Sequence, residues 1–477
     1  MGRARAVPII VFIGLGFVVG SQLTTGEPEG PLAGGLRRIK AALDTPEVAL
    51  ETGLLPAVSA APVGEPVLLN PPPAAVFEEW PASRDAFLHA SAHLERDPAL
   101  GTGAPWDPAR LVRWVDPPAH RADLAGPLRV EYTMDVELTR RIFQRLRRGR
   151  VSHGHVVVIE PDSGRVLAYV SSDPETFPGT AHYPAASLVK IVTAAAALDG
   201  APDQARQTCR YRGSPYRLTP SRVRPPRSGN EMSLERSLAT SNNQCFAQLA
   251  VNAIGEDAML SAIERFGWLD VPAPGHVAGT ATAGEGDYDL GRLGSGLAGA
   301  RITPVHAAQL AASLARGRLV EPFWVDRVVD VHGRALPLPQ TRPAREVMAP
   351  KLARELREML VRTTTRGTAR SAFRDRRGRK RLGDVRVAGK TGNLTGEDPY
   401  GRYEWFVGLA PAEAPKVAVA VLQLQSDLWW MRSSELGAEV LSTIFCDGRD
   451  CRAELASRYT GARRQAKSVR RAAPLGG

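Results

Sequence analysis

The stretch HVVVIEPDSGRVLAYV, residues 155–170, contains two β-rich runs separated by a turn. The runs are His155–Ile159 and Arg165–Val170, and their density of Val, Ile and Tyr favours strands. Glu160–Gly164, which lies between them, supplies the Pro, Asp, Ser and Gly that build tight turns. The stretch therefore predicts an antiparallel β-hairpin.

Three further strand patterns lie far down the chain, at Val385–Gly389, Glu404–Leu409 and Val417–Gln423. Pro411–Pro415 separates the last two and predicts a second hairpin. Helical patterns occur before, between and after these strands, at Met134–Leu146, Ser187–Leu198, Leu234–Ile254, Ala258–Phe266, Pro304–Ala315 and Ser434–Phe445. Strands at both ends with helices between them predict an α+β domain, in which a central antiparallel sheet is flanked by helices.

The regions on either side of this domain have a different composition. Residues 27–128 are predicted to be irregular, because 16 of the 38 prolines fall within residues 22–128 and proline suppresses long helices and central strands. This region is interpreted as a spacer or a small docking region. The compact domain is predicted to span residues 129–446, and the basic tail 447–477 is predicted to be disordered.

Residues 1–26 have the layout of an export signal. Arg3 and Arg5 precede an uncharged apolar run from Ala6 to Gly20. The run is short for a membrane-spanning helix, which needs roughly 20 apolar residues. A cleaved signal and a membrane anchor both remain open.

The net charge of +11 comes from arginine, because only seven of the 61 basic residues are lysines. Such a balance fits nucleic acid, anionic lipid or an acidic polymer as a partner, or a simple surface preference for arginine. No zinc-type Cys/His spacing or helix-turn-helix signal accompanies it, so a nucleic-acid partner is not expected.

The chain has four cysteines, Cys209, Cys245, Cys446 and Cys451, which allow three pairings. Export would place them in an oxidising compartment. We favour Cys209–Cys245 and Cys446–Cys451, the second of which closes a short Asp-Gly-Arg-Asp loop. Buried free thiols are the alternative.

Ser187-Leu188-Val189-Lys190 begins the Ala-rich helical stretch. An i, i+3 spacing on a helix places both side chains on one face. A serine hydroxyl becomes a nucleophile when a neighbouring base takes its proton, and a neutral lysine can do so. The motif is weak alone, but it occurs once in this lysine-poor chain.

Ser241-Asn242-Asn243 could supply a second hydroxyl that relays a proton, with Asn243 holding an amide and the lysine. The alternative is a helix break, since Ser and Asn are the usual capping residues. A competing Ser228-Gly229-Asn230 lies in an arginine-rich loop, where precise geometry is harder to maintain.

Lys390-Thr391-Gly392 follows a predicted strand and precedes Asn393. A cation and a hydroxyl at a strand edge can bind a carboxylate, and glycine permits close approach of a substrate backbone. A second ammonium near Lys190 would also lower the pKa of Lys190.

Taken in order, Ser-x-x-Lys, Ser-x-Asn and Lys-Thr-Gly resemble the motif set of penicillin-binding proteins and serine β-lactamases. The resemblance covers about residues 129–446. Supporting segments are Gly154–Ser171, Arg301–Pro304 and Glu404–Pro411. The resemblance implies the β-lactamase/transpeptidase type of α+β fold. Given the long segment that precedes the domain, it also implies a class B-like transpeptidase.

The resemblance also implies roles for the motif residues. Ser187 would be acylated by the penultimate D-alanine carbonyl of a stem peptide, with Lys190 as general base. Ser241 would pass a proton to the departing D-alanine, and Asn243 would orient Lys190 and the substrate amide. The terminal carboxylate would bind Lys390 and Thr391, and the backbone N–H groups of Ser187 and Asn393 would form the oxyanion hole. Asn393 departs from the family pattern, which has Thr or Ser there.

The resemblance leaves three outcomes open. The acyl-enzyme could be resolved by an amine, as in cross-linking, or by water, as in a D,D-carboxypeptidase or β-lactamase. The third is a non-catalytic β-lactam sensor or cell-wall scaffold. Expected partners are peptidoglycan stem peptides, β-lactams as covalent inhibitors, and candidate proteins of the cell-wall synthesis machinery; neither a cofactor nor a metal is expected. The expected location is the bacterial cell envelope, either anchored in the inner membrane facing the periplasm or secreted.

Overall fold

The computed structural model describes residues 110–115, 126–425 and 431–460. The predicted signal or anchor at residues 1–26 and most of the Pro-rich region therefore lie outside the described residues. Within the described ranges, no helix combines the length and apolar character needed to cross a membrane.

The described strands are, in chain order, β1 (Arg110–Val115), β2 (Leu128–Asp135), β3 (His153–Ile159), β4 (Val166–Ser171), β5 (Tyr183–Pro184), β6 (Cys209–Tyr211), β7 (Asn230–Met232), β8 (Thr280–Ala281), β9 (Ala300–Ile302), β10 (Arg318–Leu319), β11 (Val325–Val329), β12 (Ala335–Leu336), β13 (Arg345–Glu346), β14 (Ala388–Glu397), β15 (Tyr400–Ala410), β16 (Val417–Gln425), β17 (Cys446–Asp447) and β18 (Asp450–Cys451). The α-helices are α1 (Val136–Arg148), α2 (Val189–Gly200), α3 (Pro202–Arg206), α4 (Leu234–Thr240), α5 (Asn243–Leu249), α6 (Glu256–Arg265), α7 (Gly286–Ser295), α8 (Pro304–Ser313), α9 (Pro350–Thr365) and α10 (Ser433–Phe445).

The central sheet has five strands in the order β14-β15-β16-β3-β4, and every neighbouring pair is antiparallel. The early hairpin β3–β4 joins the late strands through the pairing of β3 with β16, in which Val157 lies opposite Ala420. Helices pack on both faces. The prediction of an α+β fold with a helix-flanked antiparallel sheet is confirmed.

The two faces of the sheet bury two hydrophobic cores. Trp405 and Val407 of β15 point into the first, which also contains most of α2 and α8. Phe406 points to the opposite face, where α1 and α10 close the second core. Because both faces are covered, Trp405–Ala410 of β15 and Val417–Leu422 of β16 are continuous apolar runs rather than alternating ones.

The structure corrects both predicted domain boundaries. The four-stranded sheet β1-β2-β11-β12 begins at Arg110, inside the region predicted to be irregular. At the other end, residues 447–460 are folded, not disordered, because the hairpin β17–β18 and a 3₁₀ helix at Ala453–Arg458 bring Tyr459 into the second core. Residues 461–477 lie outside the described residues.

Two element predictions also need correction. The helical pattern Leu234–Ile254 is divided into α4, α5 and a π-helical turn, Ala250–Ile254. The strand predicted at Val385–Gly389 is β14, which begins at Ala388 and continues to Glu397. The Lys-Thr-Gly motif is therefore within a strand, not beyond its end.

Both disulfides have the pairing favoured from the sequence. Cys209 is bonded to Cys245, which joins β6 to α5, and Cys446 is bonded to Cys451, which closes the β17–β18 hairpin. No free cysteine is present among the described residues.

Candidate active site

Ser187 lies at the start of a largely buried helix of the first core. It occupies a 3₁₀ turn, Ala186–Leu188, directly before α2. Nearly all of α2 is buried, so this helix is held by packing on every side. Ser187 is itself partly exposed, whereas its two neighbours are buried. Ser187 is therefore held on a rigid support at a position that solvent can reach.

The backbone around Ser187 is strained. Ala186 has a φ of 49°, in the left-handed region that non-glycine residues rarely adopt. Gly296, the residue that ends α7, lies directly against it with a φ of 71°. A Cβ at Gly296 would lie 2.0 Å from the carbonyl oxygen of Ala186, so only glycine fits there. Strain of this kind persists where the surrounding structure enforces it, which is common at functional sites.

Lys190 is completely buried and its Nζ is the centre of the site. It lies 2.7 Å from the Oγ of Ser187, 3.2 Å from the Oγ of Ser241 and 2.6 Å from the Oδ1 of Asn243. Burial, and in second place the charge of Lys390, lower the pKa of Lys190 well below that of an exposed lysine. A neutral amine at hydrogen-bonding distance from a hydroxyl can accept its proton.

Ser241 and Asn243 lie at the break between α4 and α5. Ser241 ends α4 in a left-handed conformation with a φ of 59°, and Asn242 then caps α5 by accepting a hydrogen bond from the backbone N–H of Cys245. Asn242 is therefore a helix cap, as the alternative interpretation of this motif expected. Ser241 and Asn243, on either side of it, contact Lys190. Asn243 is fixed because its Nδ2 donates to the carbonyl of Tyr216 at 2.7 Å.

Lys390 completes the cluster from β14. Its Nζ donates to the Oγ of Ser241 at 3.0 Å and to the carbonyl of Thr391 at 2.7 Å. Ser241 Oγ thus bridges the two lysines. Burial lowers the pKa of Lys390 to about 7. Among the described residues, no carboxylate is hydrogen-bonded to the Nζ of either lysine, so an incoming carboxylate would supply the missing counter-charge.

The remaining motif residues continue along the same strand. Gly392 packs against the turn Ala186–Leu188, which carries the candidate nucleophile Ser187 and is called the nucleophile turn below; a Cβ at Gly392 would lie 3.2 Å from the Cβ of Ala186. Thr391 is hydrogen-bonded through its hydroxyl to that of Thr368 at 2.6 Å. Asn393 is exposed, and its Oδ1 accepts from the Nε of Arg402 at 2.6 Å, so its side chain is turned away from the lysine cluster.

Sequence reasoning missed several residues that shape the site. Gly296, Thr368 and the carbonyl of Tyr216 belong to no motif, and their positions follow only from tertiary contacts. Trp405 could have been found in part from the sequence, since it lies in Glu404–Pro411, one of the segments that support the family resemblance. Its Nε1 donates to the carbonyl of Pro184 at 2.8 Å and so attaches β15 to the strand that leads into Ser187.

Comparison with known proteins agrees with this geometry. The penicillin binding protein transpeptidase domain matches residues 154–445, which include every motif residue described above. The chain belongs to the penicillin-binding protein transpeptidase family. In this penicillin-binding protein, three motifs thus come together in one site: Ser-x-x-Lys, Ser-x-Asn and Lys-Thr-Gly. The competing Ser228-Gly229-Asn230 does not take part in these contacts.

Similar relatives come from mycobacteria. The peptidoglycan D,D-transpeptidase PbpA of Mycolicibacterium smegmatis is 29% identical over 311 residues, 56% of this chain and 61% of the relative. That of Mycobacterium tuberculosis is 28% identical over the same extent. The matched region thus spans less than two thirds of the length of these curated relatives.

Solved structures show the same fold. The crystal structure of PBPA from M. tuberculosis aligns with a TM-score of 0.55 at 26% identity, over 66% of this chain and 81% of that one. Its acyl-enzyme complex with ceftriaxone aligns with a TM-score of 0.54 at 25% identity, over 66% and 79% of the two chains. The second of these structures is a penicillin-binding protein acylated by a β-lactam.

Proposed function

We propose that this protein is a penicillin-binding serine D,D-transpeptidase that cross-links peptidoglycan stem peptides through an acyl-enzyme on Ser187. The observation that carries the proposal is the Lys190 Nζ, buried and 2.7 Å from the Ser187 hydroxyl. Support also comes from the printed names of the relatives, which are D,D-transpeptidases.

In the first half-reaction, the Ser187 Oγ attacks the carbonyl carbon of the penultimate D-alanine and its proton moves to the Lys190 Nζ. The developing oxyanion is stabilised by the backbone N–H groups of Ser187 and Asn393. The C–N bond to the terminal D-alanine then breaks, and the leaving amine receives a proton through the Ser241 Oγ, which bridges both lysines.

In the second half-reaction, the amine of an acceptor peptide attacks the Ser187 ester. An amide bond forms as the acceptor amine gives up a proton to Lys190, the ester C–O bond breaks, and the Ser187 Oγ takes that proton from Lys190. Lys390 and Thr391 hold the terminal carboxylate of the donor only until acylation, because that carboxylate leaves with the terminal D-alanine; Lys390 is suited to this role because it lacks a carboxylate partner among the described residues. A β-lactam would enter the same first half-reaction and remain as a stable ester, as in the relative's ceftriaxone complex.

The proposed setting is the bacterial cell envelope, with residues 1–26 as an inner-membrane anchor facing the periplasm, or as a signal whose cleavage releases the protein. Residues 27–109 would act as a spacer or docking region for other cell-wall synthesis proteins.

Product analysis with a donor peptide ending in D-Ala-D-Ala tests the proposal. With an amine acceptor present, we expect D-alanine release together with the amide-linked product. If the donor is only hydrolysed and no amide-linked product forms, the protein is a D,D-carboxypeptidase. If the donor is neither turned over nor attached to the protein, the sensor or scaffold alternative is left.

Ser241→Ala should slow D-alanine release about 10²–10³-fold, since it removes the proton relay. The matched control is Ser228→Ala, the serine of the competing Ser-x-Asn, whose hydroxyl bonds only to Arg212 within the described part of the chain. Equal effects of the two substitutions would contradict the assigned relay.

A further inference from the structure

The segment between α3 and α4 is unusually basic and lies beside the site. Seven arginines occur from Arg206 to Arg227, and no Asp or Glu lies between residues 204 and 230. Most of these arginines are exposed. The hairpin β6–β7 forms the base of the segment, and we refer to residues 212–227 as the arginine loop.

Only some of this positive charge is neutralised. Arg206, Arg210 and Arg224 pair with Glu355, Glu231 and Asp287, respectively. The other four have no carboxylate partner among the described residues. Arg212 is bonded to Ser228, which directly follows the loop, and Arg222 is bonded to the carbonyl of Arg217. The side chains of Arg217 and Arg227 have no polar partner within the described ranges, so both are available to a ligand.

The loop is fastened to the helix that begins with Asn243. The Cys209–Cys245 disulfide joins β6 to α5. Gln244 adds hydrogen bonds from its Nε2 to the carbonyls of Arg212 and Ser214, at 2.8 and 2.7 Å. Leu218 and Val223 pack against Ala247 of the same helix. The loop is therefore fixed to α5 by covalent, polar and apolar contacts, and it forms part of the structure around the site.

The attachment reaches the catalytic cluster itself. The carbonyl of Pro215 accepts from the backbone N–H of Asn243 at 2.9 Å, and the carbonyl of Tyr216 accepts from its side chain at 2.7 Å. Arg217 is the next residue. A ligand bound to Arg217 would therefore lie next to the residue whose carbonyl holds the Asn243 amide, and the same amide contacts Lys190.

We propose that the arginine loop is the docking surface for the carboxylates of the amine-bearing acceptor peptide. The inference rests on the proposed function, because an acceptor is needed only if an amine resolves the acyl-enzyme. Stem peptides carry free carboxylates, and guanidinium groups bind carboxylates in a paired geometry. An anionic membrane is the alternative partner, and vesicle binding distinguishes the two.

The test uses the full-length protein, a thioester donor and two acceptors, a peptide with two free carboxylates and the same peptide with both amidated. For R217Q/R227Q we expect KM for the dicarboxylate acceptor to rise about fivefold relative to the diamide, an effect in KM rather than kcat. In the unaltered protein this preference should weaken as salt is raised, because exposed charges are screened.

The matched control is R376Q/R377Q, which removes the same charge from two exposed arginines in another loop and should leave both KM values unchanged. Equal KM values for R217Q/R227Q and the unaltered protein would overturn the inference. The inference would also be overturned if R217Q/R227Q lost binding to vesicles of anionic lipid while its KM for the acceptor stayed unchanged. Failure of the unaltered protein to be acylated by penicillin would instead refute the proposed function.

Discussion

At the scale of single residues, the site depends on two buried lysines that differ in their surroundings. Lys190 is held by two hydroxyls and an amide oxygen, and burial together with Lys390 lowers its pKa well below the ordinary value. The pKa of Lys390 is lowered to about 7 by burial. In the proposed mechanism, acylation requires a neutral Lys190 to accept the Ser187 proton and a charged Lys390 to bind the carboxylate.

This difference predicts a bell-shaped pH dependence of kcat/KM for acylation by a carboxylate-bearing substrate. The rate should rise with pH as Lys190 loses its proton and becomes a base. It should fall as pH passes through about 7, because Lys390 then loses the charge that attracts the carboxylate. Stopped-flow acylation over a pH series measures both limbs, which belong to the coupled pair. A rate that is flat from acid to alkaline pH would contradict the roles of both lysines.

Asn243→Asp should move the acidic limb to higher pH. A carboxylate in place of the Oδ1 that lies 2.6 Å from Lys190 would stabilise the charged amine and raise its pKa, with a rate loss of about tenfold per pKa unit at low pH. Asn252→Asp, on the exposed π-helical turn after α5, is the control and should leave the profile in place. An unshifted limb in Asn243→Asp would mean that Lys190 is not the titrating base.

At the scale of elements, the nucleophile turn is held by the end of α7. Gly296→Ala should slow acylation by about 10–10²-fold, because the new Cβ would displace the Ala186 carbonyl and with it the Ser187 hydroxyl. Gly286→Ala is a matched control at the other end of α7, with a φ of 72° but no atom within 4 Å of the added Cβ. Gly286→Ala should lower the free energy of unfolding by about 1 kcal/mol because of its positive φ, and Gly296→Ala should lower it further because its Cβ also clashes with Ala186. Comparable acylation rates in the two variants would show that α7 does not position Ser187.

The elements that carry motifs could be predicted from the sequence, and those that support them could not. The i, i+3 spacing of Ser187 and Lys190 is a local property, and so is the turn chemistry of the hairpin β3–β4. By contrast, α7 contains Gly291 and Gly294, which pack against α5 but weaken any helical pattern. The hydroxyl contact of Thr368 with Thr391 joins residues that only the folded chain brings together.

At the scale of the whole molecule, the sheet joins segments from opposite ends of the domain. The pairing of β3 with β16 places the Lys-Thr-Gly strand beside the nucleophile turn, although most of the domain lies between them in sequence. Strand patterns at both ends made this architecture predictable. The domain limits were not, because β1 and the segment around Tyr459 are short and are held by pairing, a disulfide and burial rather than by a strong local pattern.

We expect Ser187 to be the group that is acylated, because the neutral Lys190 beside it activates its hydroxyl. Mass spectrometry of the intact protein after incubation with penicillin, followed by peptide mapping, tests this expectation most directly. We expect one penicillin adduct on the peptide containing Ser187, its loss in Ser187→Ala, and acylation slowed by several orders of magnitude in Lys190→Ala but not in the exposed Lys351→Ala. An adduct on any other residue, or one retained in Ser187→Ala, would contradict the account.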